Sequence, residues 1–323
     1  MKFCRIPSSL ALLGFVLSGV GAHADQYPSR TVTFVVPYQA GGSTDILARI
    51  IAQKLTDRWH QSVIVENRPG GNGSVGINQV ANGDADGMTL LAVASSRLTL
   101  SGATTRKQID FEQDFAPISR IGFVPNVVVV HPSVPAKTIA ELIALAKSKP
   151  GELTYGSQSI GSNGHVTGEL FQQRAGVKLL HVPYKGSAPA VRDLVAGQIN
   201  LMFDNLPTVL GSIKGGQLRA LAVTPIERSD SIPDVPTVAE SGFPGFDTSA
   251  WFAVLVAKKT PEPVRATIEH AIVDVLAMPD VRSLLKNAGI VAAAEGSADL
   301  LHRVKEESTM WNGVLTKAHI KLE

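Results

Sequence analysis

The sequence predicts an α/β fold of two lobes with a ligand cleft between them, on three observations. The chain has 323 residues, which is long for one domain. Apolar runs of strand length alternate with amphipathic runs of helix length in two separate sets, and such alternation builds mostly parallel sheets with helices on both faces. A fully apolar run, Val127–Val130, lies between the sets and is bounded by prolines. Two sets joined by one crossing strand predict two lobes.

Residues 1–24 have the pattern of a secretory signal peptide. Two basic residues are followed by an apolar run from Leu10 to Val20, and an A-x-A cleavage motif ends at Ala24. The run is too short to span a bilayer, which takes ~20 residues. We therefore expect export, cleavage after Ala24 and a mature protein in the periplasm.

The composition excludes several classes of function. The chain has 30 Lys and Arg and 28 Asp and Glu, and two of the basic residues leave with the signal segment. A mature charge near zero argues against a nucleic-acid partner. Cys4 is the one cysteine, and it also leaves with that segment, so the mature chain forms no disulfide. The histidines show no metal-ligand spacing such as H-E-x-x-H, and we predict neither a metal nor a cofactor.

The first set of elements begins after residue 25. It is predicted to comprise the strands Thr31–Val36, Val63–Val65 and Thr89–Ala94 and the helices Asp45–Trp59 and Ser74–Asn82. Ligands of mostly parallel sheets bind beyond the carboxyl ends of the strands. Tyr38 and Ser95 follow two of these strands, so we predict that both contact the ligand.

The second set follows the crossing strand. It is predicted to comprise the strands Leu153–Tyr155, Leu179–Val182, Leu201–Phe203 and Leu218–Val223 and the helices Thr138–Ser148, His165–Ala175, Ala188–Ala196 and Thr208–Lys214. A return strand, Trp251–Val256, then precedes three helices: Pro263–Ala277, Asp280–Ala288 and a last one with Leu301, Val304, Trp311 and Leu315 on one face. We place lobe 1 at residues 25–124 plus 248–323 and lobe 2 at 125–247, with hinge strands near 122–130 and 222–252.

The stretch between the first strand and the first helix has the composition of an anion-binding loop. Gly41 and Gly42 let the backbone come close to a ligand, and Ser43, Thr44 and Asp45 provide caps where the helix starts. A helix start presents unpaired N–H groups and the positive end of the helix dipole. The alternative is a well-capped turn without a ligand. Asp45 fits either a ligand ammonium group or the first turn of the helix.

A second loop of the same type follows strand Leu153–Tyr155. Ser157, Ser159 and Ser162 supply hydroxyl groups, Gly161 permits close approach, and His165 lies at the start of the next helix. Two such loops facing each other across a cleft would suit a small molecule with one or two carboxylates. His165 is equally a candidate helix cap.

Two further residues at strand ends are candidates for ligand contact. Asp204 ends strand Leu201–Phe203, where its alternative role is to cap the Thr208 helix. Tyr184 precedes Lys185, whose ammonium either neutralises a distal carboxylate or lies in solvent. Trp251 opens an apolar strand, which favours hinge or core packing.

A dinucleotide-like motif, Gly71–Gly76, is interpreted as a tight turn. It matches G-x-G-x-x-G, but five residues separate it from the preceding strand and no acidic residue ends the next strand. We therefore do not predict a nucleotide cofactor.

Eight spaced motifs recur along the chain in a fixed order: Tyr38–Asp45, Glu66–Gly71, Asp86-Gly87, Tyr155–Ser157, His165, His181–Gly186, Leu221–Thr224 and Pro233–Glu240. Together they resemble one family, the Bug-type solute receptors of tripartite tricarboxylate transporters. The resemblance implies a two-lobed Venus flytrap fold of the type II periplasmic binding proteins. It also implies capture of an organic acid in the periplasm, delivery to the membrane subunits of the transporter, and loops at Gly41–Asp45 and Ser157–Ser162 that hold the ligand. Ser159, Ala253 and Ala257 depart from the usual pattern.

The function predicted is a solute-binding protein and not an enzyme. Its ligand would be a mono-, di- or tricarboxylate or an acidic amino acid. One alternative is an exported serine hydrolase using Ser43 or Ser157, although the sequence has no G-x-S-x-G elbow. Another is a ligand sensor that signals to a membrane partner.

Overall fold

A computed structural model describes Met1, residues 27–100 and residues 110–317. The predicted signal peptide and its cleavage site at Ala24 lie outside the described residues. The strands are β1 Val32–Val36, β2 Val63–Asn67, β3 Thr89–Ala94, β4 Phe115–Val130, β5 Thr154–Ser157, β6 Leu180–Pro183, β7 Leu201–Asn205, β8 Arg219–Val223, β9 Ser249–Ala257 and β10 Val291–Glu295. The helices are α1 Ser43–Trp59, α2 Ser74–Ala81, α3 Ser95–Thr99, α4 Phe111–Asp114, α5 Ile139–Ser148, α6 Asn163–Ala175, α7 Ser187–Val195, α8 Leu206–Lys214, α9 Glu262–Ala277, α10 Pro279–Asn287 and α11 Ser297–Lys317.

The first sheet has the order β2-β1-β3-β9-β4. Strand β1 pairs in parallel with β2 and β3, while β9 runs antiparallel between β3 and β4. One face packs on α1 and α9 through buried residues such as Leu47, Ile51 and Ile272. The other face buries Ile77 and Leu300. Because β1 and β3 are parallel neighbours, the loops that follow them open at the same edge of the sheet.

The second sheet is built on β7, β5 and β6, which follow one another in the strand order. Strand β5 pairs in parallel with both β6 and β7. Its two faces carry separate apolar cores, one around Tyr155 and Phe203 and the other around Val127 and Leu206. The carboxyl ends of β5, β6 and β7 point toward the loops of the first sheet, because the residues that follow these three strands line one cavity together with those loops.

Strand β4 belongs to both sheets. Its residues from Phe115 to Pro125 pair with β9, and its residues from Asn126 to Val130 pair with β7 and β8. The sequence predicted the strand Val127–Val130 and a hinge strand near 122–130, and it missed the start of β4 at Phe115 because Pro117 and Arg120 interrupt the apolar pattern there. The pairing tolerates these interruptions through register shifts between Pro117 and Ser119 and between Arg120 and Gly122. The change of sheet falls at residues 125–126.

The C-terminal segment differs from the prediction in two details. Strand β10, which pairs antiparallel with β4, was not predicted because its alanine-rich sequence has no strand pattern. In α11, Trp311 and Leu315 are buried as expected, but Leu301 is 41% exposed and Leu300 takes the buried position instead. Helix α11 reaches both lobes, because Leu100, Val166, Trp311 and Leu315 form one buried cluster.

The proline-rich connector after β8 is ordered by local caps. The backbone N–H of Thr237 donates to Glu240 Oε2 at 2.7 Å, and the N–H of Glu240 donates to Thr237 Oγ1 at 3.0 Å. Thr237 and Glu240 therefore form a reciprocal capping box. Val238 and Phe246 anchor the connector in the second lobe's core. Within the part of the chain that the structure describes, no helix combines the length and apolarity needed to cross a membrane.

Candidate functional site

A cavity of about 360 Å³ lies between the two sheets, and residues of both sheets line it. The first sheet contributes its loops around residues 37–45, 69–73 and 94–97. The second sheet contributes residues around 158–163, 183–187 and 205. The volume is at the lower end of the range of about 300–1,000 Å³ that is usual for small-molecule sites.

Six helices begin at the cavity wall. The residues that cap the starts of α1, α2, α3, α6, α7 and α8 all line the cavity: Gly42, Gly73, Ala94, Ser162, Gly186 and Asn205. The first N–H groups of each helix have no partner within that helix, and the helix dipole places partial positive charge there. The sequence predicted anion-binding loops at two of these starts, those of α1 and α6. The convergence of six gives the cavity wall a positive potential, which favours a negatively charged ligand.

The loop before α1 is held by its own carboxylate. Asp45 accepts hydrogen bonds from Gly41 N at 2.9 Å, Asn67 Nδ2 at 3.0 Å and Arg49 Nε at 3.1 Å. Burial alone would raise the pKa of Asp45, but these bonds outweigh it and hold the pKa below its ordinary value. Position 41 favours glycine, because its φ of +86° lies in a region that residues with a side chain rarely adopt. These contacts favour the capping role of Asp45 over the ammonium-binding one.

The loop before α6 is held by serine and histidine side chains. Ser162 Oγ accepts from the N–H groups of Ser159 and His165, both at 3.3 Å. The N–H of Gly161 donates to His165 Nδ1 at 3.0 Å. His165 thus shapes the loop from behind, which corresponds to the cap alternative, and it is 6% exposed.

Two histidines stack beneath this loop. The rings of His165 and His181 lie 4.0 Å apart at an interplanar angle of 11°. Burial lowers the pKa of His165 to about 3, with the charge of His181 as a second cause, and burial lowers the pKa of His181 to about 4. Both rings are therefore neutral near pH 7.

Ser157 lies close to a histidine but does not have the surroundings of a nucleophile. Its Oγ is 2.6 Å from His181 Nε2 and donates to the carbonyl of Ser159 at 3.1 Å. Ser157 is fully buried and is not part of the cavity wall. Among the described residues, no hydrogen bond or ion pair joins a carboxylate to His181. A serine hydrolase needs an accessible serine with an oriented base, and this pair does not provide one.

Asp204 lies behind the wall and is fully buried. It accepts from Gln158 Nε2, from Ser187 Oγ at 3.0 Å, from Asn205 N at 2.9 Å and from Thr208 Oγ1 at 2.8 Å. Burial raises the pKa of this carboxyl, and the four hydrogen bonds oppose the rise. The contact with Thr208 joins two side chains and is not a helix cap, because α8 begins at Leu206, has Asn205 at its N-cap and has no side-chain capping bond. Asp204 holds two wall residues, Gln158 and Ser187, in place.

The predicted site residues therefore divide into two groups. Those in the cavity wall are Tyr38, Gly42, Ser43, Thr44, Asp45, Ser159, Ser162 and Tyr184. Those outside the wall, where they support the loops, are Gly41, Ser95, Ser157, Gly161, His165 and Asp204. Trp251 is buried outside the wall as the sequence favoured, with its indole N–H donating to Glu307 at 2.7 Å.

The sequence did not single out several wall residues. Asn72, Arg97 and Gln158 line the cavity, and each follows a strand, which is the one sequence signal that pointed to them. Arg97 had no pattern around it, since α3 is only five residues long. Asn72 also joins the lobes, because its Nδ2 donates to the carbonyl of Ile160 at 3.1 Å.

Unsatisfied polar atoms concentrate in this wall. Nine buried side-chain nitrogen or oxygen atoms of the described residues have no hydrogen-bond partner, and five of them belong to wall residues: Tyr38 Oη, Ser43 Oγ, Arg97 Nε, Gln158 Oε1 and Asn205 Oδ1. Buried polar atoms normally have partners. Their concentration at one cavity is what a bound polar ligand and its water molecules would explain.

The two-sheet fold and its shared cleft define a solute-binding receptor of the periplasmic type. An R. palustris protein, Rpa4515, solved with adipate, has a TM-score of 0.89 and 35% identity to this chain, covering 91% of this chain and 99% of that one. MatC (Rpa3494) from Rhodopseudomonas palustris, solved with bound malate, has a TM-score of 0.84 and 29% identity, covering 90% and 100%.

Sequence comparison gives the family. The model of the tripartite tricarboxylate transporter family receptor matches residues 47–320. Protein BugT of Bordetella pertussis (strain Tohama I) is 36% identical over 320 residues, which cover 97% of this chain and 98% of BugT. The chain belongs to the tripartite tricarboxylate transporter family of receptors. The resemblance and the two-lobed fold expected from the sequence are confirmed.

Proposed function

We propose that this protein captures a small organic carboxylate in the periplasm and presents it to the membrane subunits of a tripartite tricarboxylate transporter. The observation that carries the proposal is the convergence of six helix starts, with five unsatisfied polar atoms, on one cavity. A negatively charged, oxygen-rich ligand is the chemistry that such donors favour. The structures of Rpa4515 with adipate and MatC with malate support the same ligand class.

The magnitudes are sufficient for a transport receptor. Hydrogen bonds to a charged group contribute about 1.5–3 kcal/mol each, and each helix start adds about 0.3–1 kcal/mol. Several together, less the cost of ordering the ligand, reach about −8 kcal/mol, which corresponds to micromolar affinity.

Closure of the lobes follows from the position of the donors. Ser43 and Thr44 belong to the first lobe, whereas Ser162 and Asn163 belong to the second. A ligand that contacts both pairs binds the closed form more tightly than the open one, and this differential affinity shifts the equilibrium toward closure. The closed form is then the state that the transporter would recognise. The division into lobes at residues 125 and 247–248 is part of this proposal.

A thermal-shift screen tests the ligand class. The panel contains mono-, di- and tricarboxylates and acidic amino acids, each compared with its uncharged amide. At 100 times the dissociation constant, a ligand stabilises the native state by about 2.7 kcal/mol, so the matching acid should raise the melting temperature by a few degrees. If no acid raises it, the ligand class is wrong. If an ester is also turned over, the protein is a hydrolase.

Export and delivery are tested separately. Fractionation of the native host should place the protein in the periplasm with Asp25 as its first residue. Uptake of the acid found in the screen should require both this protein and the transporter's membrane subunits. A protein that binds the acid but changes only gene expression would be a sensor.

A further inference from the structure

A cluster of buried polar side chains lies where the chain crosses between the two lobes. Asn126 is the first residue of β4 that pairs with the second sheet, and Thr248 comes directly before β9. Buried polar side chains are uncommon and nearly always have hydrogen-bond partners, so the contacts within the cluster indicate its role. Its members and their exposed fractions are Asn126 0%, Asn163 7%, Thr167 0%, Thr224 0% and Thr248 4%.

Asn163 holds both crossing strands with one side chain. Its Nδ2 donates to the carbonyl of Ser249, the first residue of β9, at 3.0 Å. Its Oδ1 accepts from Asn126 Nδ2. Because a carbonyl oxygen can only accept, the bond to Ser249 fixes which way the Asn163 amide points. Ser249 pairs within the first sheet, whereas Asn126 pairs within the second. The two bonds therefore connect α6 to the chain on either side of the crossing.

Asn163 also belongs to the ligand cavity. It is the first residue of α6 and lines the cavity wall. At this position the backbone N–H has no partner within the helix, and no hydrogen bond among the described residues involves it. The N–H of Asn163 can therefore donate to a ligand while the side chain holds the crossing strands. A ligand bound at the start of α6 acts on the residue that contacts both strands.

Thr224 binds the same crossing segments from the second lobe alone. Its Oγ1 donates to the carbonyl of Thr248 at 2.7 Å, and its N–H donates to the carbonyl of Asn126 at 2.9 Å. These bonds end one residue before Ser249 and do not reach the first sheet. Thr224 therefore stabilises one side of the crossing, whereas the side chain of Asn163 contacts both sides.

A change in the angle between the lobes must alter the backbone at the crossing. Hinges absorb such changes in a few residues, here around 125–126 and 248–249. Rotation at these residues moves the Ser249 carbonyl relative to α6 and so strains its bond to Asn163. Because the Asn163 side chain is buried, breaking this bond would leave polar groups without partners, which is unfavourable. The bond therefore favours the orientation in which the lobes share the cavity, which we call the closed orientation.

We infer that Asn163 is a positioning residue that couples ligand binding to lobe orientation: its backbone contacts the ligand, and its side chain holds Asn126 and Ser249 in the closed orientation. The inference rests on the proposed function and names the residues that connect the binding site to the hinge. Asn126 acts through Asn163, since it does not line the cavity.

Titration of variants with adipate, succinate and malate as probes tests the inference. Asn163→Ala keeps the backbone N–H and loses both side-chain bonds, so it should raise the dissociation constant about 5- to 30-fold, mostly through faster dissociation. Asn126→Ala should raise it about 3- to 10-fold, although Asn126 lies outside the wall. The double variant should bind about as tightly as Asn163→Ala, because the two residues act through one shared bond.

Distance measurements separate the positioning role from a general loss of stability. The one cysteine, Cys4, lies in the predicted signal segment. Spin labels at Gln79→Cys on α2 and Arg192→Cys on α7, both exposed positions, therefore report the separation of the lobes. With a probe at saturation, the wild type should show mainly the shorter distance, whereas Asn163→Ala should retain a measurable fraction of a longer one.

Thr224→Val is the matched control, because it removes a buried hydroxyl group from the same cluster. It should lower the melting temperature, while its dissociation constant and lobe distances stay close to those of the wild type. If Asn163→Ala does not fold, Asn126→Ala is used for both measurements.

Three results would overturn the coupling and leave the proposed function standing. They are wild-type affinity in Asn126→Ala, additive effects in the double variant, and a Thr224→Val that weakens binding as much as Asn163→Ala. Unchanged lobe distances in Asn163→Ala at saturation would overturn it too. A wild type that binds none of the three probes, nor any acid of the wider panel, would instead reject the proposed function and the inference with it.

Discussion

Asn72 donates its side-chain amide to the backbone carbonyl of Ile160 at 3.1 Å, and this bond joins the two lobes at the cavity. Asn72 lies in the turn before α2, and Ile160 lies in the loop before α6. Both segments belong to the cavity wall, so an opening of the lobes that separated these segments would break the bond. The bond is exposed to solvent.

Asn72→Ala should therefore weaken the closed state, and the backbone strain that alanine carries at the φ of +54° of Asn72 is measured separately by a melting curve. Loss of one exposed hydrogen bond costs about 0.5–1.5 kcal/mol, so the ligand should dissociate about 2- to 10-fold faster. Stopped-flow displacement measures this rate. Asn82→Ala is the control, because Asn82 makes a comparable bond to Asn78 within one lobe. Equal dissociation rates in Asn72→Ala and wild type would mean that the contact does not stabilise closure.

Gly42→Leu should abolish binding and leave the fold intact. Gly42 has an ordinary φ of −82°, and an added Cβ would meet its nearest atom, Gln39 O, at 3.8 Å. A leucine side chain would fill the space in front of the α1 start and block several charge-assisted bonds, raising the dissociation constant about 100-fold or more. Calorimetry and a melting curve measure the two effects.

The neighbouring glycine should behave differently. Gly41 has a φ of +86°, so Gly41→Ala should destabilise the protein by about 1–2 kcal/mol through backbone strain. Gly42→Ala, without that strain, should melt like the wild type. Binding by Gly42→Leu with unchanged affinity would remove this loop from the site.

The stacked histidines predict a loss of stability in acid. The pKa values of His165 and His181, about 3 and about 4, lie below the value of ~6.5 expected in the unfolded chain. Above pH 6.5 the two rings are neutral in both states, and their contribution is complete. As the pH falls from 6.5 toward 4 and 3, the unfolded chain takes up protons that the native state excludes. Stability is lost at up to about 1.4 kcal/mol per pH unit for each histidine.

Urea unfolding between pH 7.5 and 4 measures this slope. The double variant His165→Asn, His181→Gln should flatten it, because the amides retain an acceptor for Gly161 and a donor for Ser157 without titrating. His270→Gln, at an exposed position, should retain the wild-type slope. A double variant with an unchanged slope would assign the acid sensitivity to other groups.

The hydrogen bond between Trp251 and Glu307 should stabilise the fold at a position outside the cavity wall. The indole N–H of Trp251 donates to both carboxylate oxygens of Glu307, at 2.7 and 2.8 Å. Burial raises the pKa of Glu307, while this bond opposes the rise. Trp251→Phe should lower the free energy of unfolding by about 1–3 kcal/mol, because the Glu307 carboxylate loses the hydrogen bond from the indole N–H. Chemical denaturation measures the loss, with Trp59→Phe as a control whose indole N–H makes no hydrogen bond to described residues.

Local patterns predicted most of the elements because each has a physical signature along the chain. The helical spacing of apolar residues predicted α1 and α9. Glycines next to hydroxyl residues indicated the loops before α1 and α6. Strand β4 was underestimated, since Pro117, Gly122 and Pro125 interrupt its apolar pattern and only its partners show how they are accommodated.

The site was predicted in part for a different reason. Residues next to a helix start, such as Ser43 and Ser162, could be found from the local sequence. Ser157 and Asp204 were predicted to contact the ligand but lie behind the cavity wall. The sequence does not show whether a side chain at a strand end points into the cleft or away from it. Arg97 was missed because α3 has only five residues, too few to show a helical period that would have marked this position.

Native mass spectrometry of freshly purified protein tests the central claim most directly. A receptor whose cleft binds a small carboxylate should retain one organic acid, seen as one added mass per chain. Gly42→Leu, purified in parallel, should lack it. A wild-type spectrum with a bound neutral or cationic molecule in the cleft, or with one acid retained equally by Gly42→Leu, would contradict the claim.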